Sequence, residues 1–263
     1  MKKILILTAL LSLCSASALC WEKDGHDIST RIAEKYLTKK AKKNIESYLD
    51  GQPISFYASY MDYMGYVYKL GYSNDWFDHT VPVDKDFNYC PEYFPQVGDA
   101  EYAIEVAVDK MKDGGYKNLP DSLVNLYIKH LVHFVPDYHC PSHIIYNFRP
   151  SNYLMDVRGE QRLFHWVWDN FPTGLGLHSW SAGDYCEHLT ANLTKEKKAQ
   201  IEAGTTRDWV KDNATSCIVA YDISREKDSL SDVDSYNGTV LVDEQLLKGG
   251  IRLAYLLNMI FGK

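Results

Sequence analysis

Two pairs of histidine and aspartate stand four residues apart along the chain. His133 and Asp137 form the first pair, and His165 and Asp169 form the second. Residues four apart lie on one face of an α-helix, so each pair would present an imidazole and a carboxylate together. Neutral imidazole nitrogens and carboxylate oxygens are the usual ligands of zinc. The spacing therefore indicates two metal-binding helices, and a hydrogen bond on a helix surface is the alternative for either pair taken alone.

The neighbours of both pairs favour the metal interpretation. His133 is flanked by Leu, Val and Phe residues, and His165 by Phe, Trp and Val residues. A polar group in such surroundings costs free energy unless it is hydrogen-bonded or coordinated. Pro141 would then turn the chain and bring His143 back towards the end of the first helix. We therefore expect buried histidine and aspartate ligands that surround metal ions.

Candidates outside the helix pairs are weaker on their own. Asp62 and His79 lie in expected loops, where an aspartate is commonly a solvated acid or a helix cap and a histidine commonly has no chemical role. Only the two helix pairs make them worth singling out. His139 lies two residues past Asp137 and off the face of His133, so we leave it outside the metal set.

These segments, taken together, resemble the S1/P1 nuclease family of zinc-dependent single-strand nucleases and 3′-nucleotidases, which shares its fold with bacterial phospholipase C. The matching segments are Trp21–His26, Ala58–Asp62, Trp76–His79, His133–His143 and His165–Asp169. They occur in the family's order and span most of the chain after residue 20. The resemblance implies a mainly α fold, a single-domain multi-helix bundle with long loops around a cleft that holds three zinc ions.

The resemblance also implies which residues bind the metals. The nine ligands carried over are Trp21, His26, Asp62, His79, His133, Asp137, His143, His165 and Asp169. One buried ion would be bound by Asp62, His79, His133 and a bridging Asp137. The second would be bound by Asp137, His26 and the amino group and carbonyl of Trp21. The third, more exposed ion would be bound by His143, His165 and Asp169. The resemblance makes Asp62 and Asp137, which would hold the buried ions, the candidate catalytic residues.

The activity that the resemblance implies is hydrolysis of single-stranded DNA or RNA, and of 3′-nucleotides, to products with a 5′-phosphate. A hydroxide that bridges the buried ions would attack phosphorus, because two cations lower the pKa of water. The third ion would stabilise the leaving 3′-oxygen, so no side-chain general base is needed. Two alternatives remain, a zinc-dependent phospholipase C that uses the same metals and an inactive zinc-binding scaffold.

The chain departs from the family pattern near these ligands. Gly65 stands where the family usually has an arginine, and a Gly-Gly-Asn stretch is missing. The family's central motif usually ends in Gln-Pro-Leu-His, whereas this chain ends it with Cys140, Pro141, Ser142 and His143. Cys140 could be a soft zinc ligand or one half of a disulfide, and an oxidising compartment favours the disulfide.

The first twenty residues have the layout of a secretory signal peptide. Two lysines precede an apolar run from Ile4 to Leu13, and small residues follow. Cleavage after Cys20 would make Trp21 the first residue, which the resemblance requires because only a free amino terminus can chelate through its nitrogen. A lipoprotein that keeps an acylated Cys20 is the alternative. We therefore expect a secreted or periplasmic protein whose nuclease domain spans residues 21–263.

The charge balance argues against a nucleic-acid-binding protein with a broad basic face. The chain has 28 basic and 35 acidic residues and a formal net charge of −7. Removal of residues 1–20 takes away two lysines and no acidic residue, so the charge falls to −9. Three zinc ions would bring roughly six positive charges into one cleft. Since no apolar stretch of about 18 residues follows residue 20, we expect no membrane anchor. We also expect a monomer.

Four cysteines remain after residue 20, an even number for an exported chain. They are Cys90, Cys140, Cys186 and Cys217. Two disulfides are expected in an oxidising compartment, and the sequence leaves all three pairings open.

Apolar spacing predicts helices joined by loops, and strand signals are scarce. The predicted helices are Ile28–Tyr36, Ala41–Leu49, Asp99–Lys112, Asp121–Val135, Gln161–Asn170, Lys195–Ala203, Thr206–Tyr221 and Asp243–Ile260. Two segments, Thr80–Asp86 and Gly238–Val242, could each form a loop or a small ribbon. A tyrosine-rich segment from Tyr57 to Tyr72 could stack nucleic-acid bases or simply cover the helices.

Overall fold

The computed structural model describes residues 21, 23–62, 77–94, 98–147, 153–175, 179–224 and 229–263. Within these residues the chain is mainly helical, so the predicted fold class is confirmed. The predicted signal peptide, Gly65 and most of the tyrosine-rich segment lie outside the described residues. No helix in the described part is both long enough and apolar enough to cross a membrane.

The described residues form ten α-helices. They are α1 Lys23–Tyr36, α2 Lys39–Tyr48, α3 Tyr60–Asp62, α4 Ala100–Met111, α5 Asp121–Asp137, α6 Phe164–Asp169, α7 Ala182–Thr190, α8 Lys195–Glu202, α9 Thr206–Ile223 and α10 Asp232–Phe261. Short 3₁₀ segments lie at Ile54–Tyr57, Pro91–Tyr93, Lys112–Asn118 and Pro141–His143, and one π-helical turn lies at Phe171–Leu175.

A parallel two-stranded ribbon joins distant parts of the chain. Its strands are β1 Val81–Val83 and β2 Ile144–Tyr146, with Val81 opposite Ile144. The first strand lies inside the predicted segment Thr80–Asp86, so the small-ribbon alternative is confirmed there. The ribbon holds the loop before β1 beside the turn that follows α5.

An antiparallel hairpin corrects the predicted helix Gln161–Asn170. Strands β3 Leu154–Val157 and β4 Glu160–Leu163 pair across a two-residue turn, and only Phe164–Asp169 is helical. Both turn residues have positive φ, 54° at Arg158 and 88° at Gly159. Paired positive φ values are typical of the tight turns that match the twist of a hairpin. The strand pairing therefore removes the first residues of the predicted helix.

The core forms where α10 packs along α1 and α5. A Cβ atom on Gly250 of α10 would lie 2.5 Å from Cβ of Ile32 and 2.7 Å from the Ser29 carbonyl oxygen of α1. Only glycine permits that approach, so α1 rests directly on the backbone of α10. Helix α1 carries His26, and its position in the molecule is therefore fixed by this close packing.

The predicted ribbon at Gly238–Val242 is wrong, because this segment lies inside α10. The helix begins with a capping box in which the hydroxyl of Ser231 accepts from the backbone N–H of Asp234 at 3.2 Å. A Cβ on Gly238 would lie 2.1 Å from Cζ of Phe171. Gly238 thus serves close packing, and packing outweighs the strand preference of the β-branched residues that follow it.

The prediction of two disulfides is wrong for this structure, in which all four cysteines are buried free thiols. Each thiol packs against different neighbours. Cys90 donates to the Asn88 carbonyl at 3.4 Å, and Cys140 lies 3.3 Å from Oδ1 of Asp169. Cys217 lies in the core on α9. The thiols are therefore separated by the packing of the elements that carry them.

Candidate metal centre

Helix α5 carries His133 and Asp137 into the interior, where neither side chain is exposed. The helix continues through Pro136 and ends at Asp137, two residues beyond its predicted end at Val135, so the pair stays on one face. Nδ1 of His133 lies 3.2 Å from the carbonyl oxygen of Ala58. A carbonyl can only accept, so Nδ1 carries the proton and Nε2 presents its lone pair to the site.

The carboxylate of Asp137 is faced by imidazole nitrogens on both of its oxygens. Oδ1 lies 3.2 Å from Nε2 of His26. Oδ2 lies 3.1 Å from Nδ1 of His79 and 3.1 Å from Nε2 of His133. A carboxylate with nitrogen ligands at each oxygen is arranged to bridge two metal ions.

Asp62 of α3 closes the same group from the opposite side. Its oxygens lie 3.6 Å from Nε2 of His133 and 3.8 Å from Nε2 of His26. The rings of His26 and His133 stack with centroids 4.4 Å apart. The donor atoms of His26, Asp62 and His133 lie within 4.8 Å of one another, as do those of His79, His133 and Asp137. We call these five residues the buried donor group.

His143, His165 and Asp169 form a second group of donors, which we call the outer donor group. It lies where the Pro141–His143 turn meets α6. Nε2 of His143 lies 3.0 Å from Nε2 of His165 and 3.7 Å from Oδ1 of Asp169. Nε2 of His165 lies 3.1 Å from Oδ2 of Asp169. Nδ1 of His143 donates to the His79 carbonyl at 3.1 Å, so its Nε2 lone pair points into this group.

Cys140 and Ser142 also contact the outer donor group. The thiol lies 3.3 Å from Oδ1 of Asp169, and the hydroxyl of Ser142 donates to the same oxygen at 3.1 Å. The donor atoms of Cys140, His143 and Asp169 lie within 4.8 Å of one another. Burial raises the pKa of the Cys140 thiol, so without metal it is protonated. The sequence offered one signal for this contact, a cysteine within a run of metal ligands.

His139 is engaged elsewhere. Its Nδ1–H donates to the Val135 carbonyl at 2.7 Å, and its Nε2 accepts from Nη1 of Arg252 at 3.0 Å. Burial, followed by the charge of Arg252, holds the pKa of His139 well below its usual value. Both nitrogens therefore have partners outside the donor groups, which supports leaving His139 out of the metal set.

The protonation states of Asp137 and His143 suit metal binding. Burial alone would raise the pKa of Asp137, but the facing His133 and His143 imidazoles outweigh it and hold the pKa well below its usual range. Burial lowers the pKa of His143 to about 3. An ionised bridging carboxylate and a neutral imidazole are the forms that coordinate a metal.

Several buried polar atoms of the cluster have no hydrogen-bond partner among the described residues. They are Nδ1 of His26 and Oδ1 of Asp62, while Nε2 of His26 and Oδ1 of Asp137 lie 3.2 Å apart without the alignment of a hydrogen bond. A buried polar atom left unsatisfied costs roughly 1–3 kcal/mol, so such atoms are rare without a bound partner. Donor separations here run from 3.0 to 3.8 Å. Ligands that surround one zinc ion tetrahedrally at 2.1 Å lie about 3.4 Å apart, so the residues fit metal ions.

Trp21 lies beside this centre with its side chain fully buried. Its indole N–H donates to the carbonyl of Pro136 at 2.8 Å. Gly25 leaves space for the ring, because a Cβ there would lie 2.9 Å from Cε3 of Trp21. The first described residue is therefore anchored next to the end of α5 that carries Asp137. Coordination by its amino group remains a prediction.

Comparisons with known proteins agree with this geometry. The profile of the S1/P1 Nuclease family matches residues 21–262. Endonuclease 4 of Arabidopsis thaliana is 24% identical over an alignment of 285 residues, which covers 98% of this chain and 94% of that protein. Endonuclease 2 of the same plant is 24% identical over an alignment of 280 residues, which covers 98% of this chain and 97% of that protein. The chain belongs to the S1/P1 nuclease family, and it is a hydrolase that acts on phosphodiester bonds.

Proposed function

We propose that this chain is a zinc-dependent phosphodiesterase that acts as a monomer on single-stranded nucleic acid and on 3′-nucleotides, releasing products with a 5′-phosphate. One observation carries the proposal. Asp137 presents each of its oxygens to histidine nitrogens at 3.1 to 3.2 Å, next to a separate outer donor group. Such an arrangement suits paired metals that act together on one phosphate.

The proposal assigns the donors to three ions. The first buried ion would be bound by Asp62, His79, His133 and Asp137, the second by Asp137, His26 and the amino terminus at Trp21, and the third by His143, His165 and Asp169. Imidazole-rich sets with a few carboxylates suit zinc, whereas magnesium and calcium favour sites made of oxygen alone. The five histidines of the two donor groups therefore support zinc as the metal.

When bound, zinc ions lower the pKa of water to supply a nucleophile and offset negative charge on the phosphate. The chain's own residues orient the ligands. The Ala58 and His79 carbonyls fix the rings of His133 and His143, so that each Nε2 faces a donor group. Asp137 sets the distance between the two buried sites. Held in this way, the ligands need no rearrangement when the substrate arrives.

Exposure indicates from which side a substrate approaches. His26, His133, Asp137 and His143 are fully buried. Among the remaining ligands, the side chain of Asp62 is 8% exposed, that of His79 9% and that of His165 17%. The accessible edge of the cluster therefore runs from the buried group to the outer group, along which one phosphodiester could contact both.

We also propose that residues 1–20 are removed during export, so that Trp21 becomes the amino terminus of a secreted or periplasmic enzyme. The family profile begins at residue 21, which supports this boundary. The burial of Trp21 beside α5 supports it as well, because the free amine would then lie near the buried donor group.

The test is release of nucleotides from single-stranded DNA and RNA by protein that begins at Trp21, with and without a chelator. We expect chelator-sensitive release of 5′-phosphate products, and we expect Asp137→Asn to lower the rate by roughly 10³-fold because a shared ligand is lost. The matched control is His188→Asn, which changes an exposed histidine on α7 and leaves the rate unchanged.

Two other substrates are assayed beside nucleic acid, a 3′-nucleotide and phosphatidylcholine vesicles. Turnover of the vesicles without nucleotide release would reassign the enzyme to lipid head groups. Zinc-loaded protein that turns over none of these substrates would contradict the catalytic proposal altogether.

A further inference from the structure

Cys140 contacts the outer donor group but has no role in the ligand set described above. Its side chain is fully buried, and Sγ lies 3.3 Å from Oδ1 of Asp169. The thiol is not part of a disulfide. A buried thiol this close to a carboxylate that faces two histidines is placed as a metal donor would be.

The distances around Asp169 describe one compact donor shell. His165 lies 3.1 Å from Oδ2, and His143 lies 3.7 Å from Oδ1, the oxygen that Cys140 also contacts. The two imidazoles are 3.0 Å apart at their Nε2 atoms. These separations resemble the roughly 3.4 Å between neighbouring donors around tetrahedral zinc. Sγ of Cys140 is therefore a fourth donor atom beside this set, within 4.8 Å of the donor atoms of His143 and Asp169.

Sequence position explains how the thiol reaches this shell. Cys140 directly precedes the 3₁₀ turn Pro141–His143, and its backbone N–H donates to the Asp137 carbonyl at 2.8 Å. The backbone N–H of His143 donates in turn to the Cys140 carbonyl at 3.0 Å. This turn fixes Cys140 and His143 on the same side of α6, towards Asp169.

We infer that Cys140 is a ligand of the third zinc ion, which is then held by a closed set of one thiolate, two imidazoles and one carboxylate. The inference rests on the proposed function for the existence of that ion. Binding replaces the S–H bond with a sulfur–zinc bond, and the proton is released to solvent. Sites with four protein ligands are typically structural, and thiolate ligands select zinc over hard cations.

The inference adds a second role to the outer donor group. A fourth protein donor would hold zinc more tightly than three donors would. It would also tie α6 to the turn that carries His143.

The experiment uses the chain from Trp21 to Lys263 loaded with cobalt in place of zinc. A thiolate bound to cobalt gives a strong charge-transfer band in the near ultraviolet, which oxygen and nitrogen ligands do not give. We expect the band in the unmodified protein and its loss in Cys140→Ser. Cys217→Ser is the matched control, because Cys217 is also fully buried yet belongs to no donor group found among the described residues.

X-ray absorption on the unmodified zinc protein gives a readout that needs no variant. We expect sulfur scattering at about 2.3 Å from roughly one zinc ion in three. Chelator competition should show a 10- to 100-fold weaker third ion in Cys140→Ser, the scale that loss of a supporting group produces. Circular dichroism of both cysteine variants checks that the fold is kept.

The outcomes separate this inference from the proposed function. Three bound ions with no sulfur signal would overturn the role of Cys140, while nucleotide release would leave the nuclease proposal standing. A cobalt–sulfur band that persists in Cys140→Ser would overturn it as well. A sulfur signal in protein that cleaves no substrate would support the ligand and contradict the activity.

Discussion

The indole N–H of Trp21 donates a 2.8 Å hydrogen bond to the carbonyl of Pro136, the residue that precedes the bridging Asp137. Trp21 is thus fastened to the helix end that carries Asp137. Distant parts of the chain meet at one carbonyl, and this contact places the proposed amino terminus beside the buried donor group. The first prediction concerns that terminus.

Extension of the amino terminus by Gly-Ser before Trp21 should remove one zinc ion per chain, because an amide nitrogen cannot coordinate as a free amine does. We expect the rate of nucleotide release to fall by roughly 10²-fold or more. Metal analysis and a single-stranded DNA assay measure both effects. Trp21→Phe is the control, since it keeps the free amine while it loses the indole hydrogen bond, at about 1 kcal/mol, and the packing of the larger ring. An extended protein with its full metal content would refute the proposed chelation.

Removal of the metal ions by a chelator should lower the thermal stability of the protein considerably. Without metal, the unsatisfied atoms of His26, Asp62 and Asp137 remain buried at a cost in free energy. Ligand binding at a thousandfold excess over Kd stabilises a folded protein by about 4 kcal/mol. Differential scanning calorimetry should therefore show a fall in Tm with chelator, recovery with zinc and little recovery with magnesium. An unchanged Tm in fully demetallated protein would show that the cluster is stable without metal.

Gly250→Ala should destabilise the protein by roughly 1–3 kcal/mol, because the new Cβ would lie 2.5 Å from Ile32 and force α1 away from α10. Displacement of α1 also moves His26, so zinc affinity should fall. Urea unfolding and chelator competition measure the two effects.

Gly183→Ala is the matched control for that substitution. Gly183 lies in α7, and the nearest atom to a new Cβ is Oγ of Ser181 at 3.7 Å. Alanine should stabilise the helix there by about 0.5–1 kcal/mol. Equal destabilisation by both substitutions would contradict the packing argument.

Asp99 should make stability depend on pH between about 4 and 6. Burial raises the pKa of its carboxyl to about 6, despite hydrogen bonds from Tyr102 and Tyr89. The folded state therefore binds the proton more tightly, and the stability that this provides is present at low pH and lost as pH rises through 6. The loss amounts to about 2–3 kcal/mol. Asp99→Asn should remove this slope. The free energy of unfolding of the variant minus that of the unmodified protein should therefore be larger at pH 7 than at pH 4.

Asp208→Asn is the control of opposite sign. Hydrogen bonds from Thr205 lower the pKa of Asp208, so its contribution appears above the ordinary pKa and is lost as pH falls. That substitution should cost more stability at pH 7 than below about pH 3, where the carboxyl is protonated in both states. Chemical unfolding at a series of pH values tests both, and parallel curves for Asp99→Asn and the unmodified protein would refute the assignment.

The sequence predicted which histidine and aspartate side chains lie together better than it predicted the small elements. Spacing within one helix is readable along the chain, so His133 with Asp137 and His165 with Asp169 could be recognised as pairs. The hairpin before Phe164 was not predicted, since its strands are short and depend on each other for pairing. Helix α7 was also missed, although Ser181 caps it by accepting from the backbone N–H of Asp184 at 3.2 Å.

Contacts between distant segments explain the remaining errors. The glycine at position 238 suggested a break, but it permits contact with Phe171, which no local pattern reveals. Cys140 suggested a disulfide from its compartment, whereas its nearest carboxylate belongs to Asp169 on another helix. Each of these features depends on which elements lie side by side, and that information is not local in the sequence.

The parallel ribbon has a consequence for the way in which the metals are acquired. His79 precedes β1 and His143 precedes β2, and the strands pair with Val81 opposite Ile144. Nδ1 of His143 also donates to the backbone carbonyl of His79, and His79 belongs to the buried donor group. An ion that orders one histidine therefore orders the backbone beside the other. Zinc uptake should accordingly be cooperative, with empty and fully loaded molecules dominating and partly loaded ones scarce across the titration.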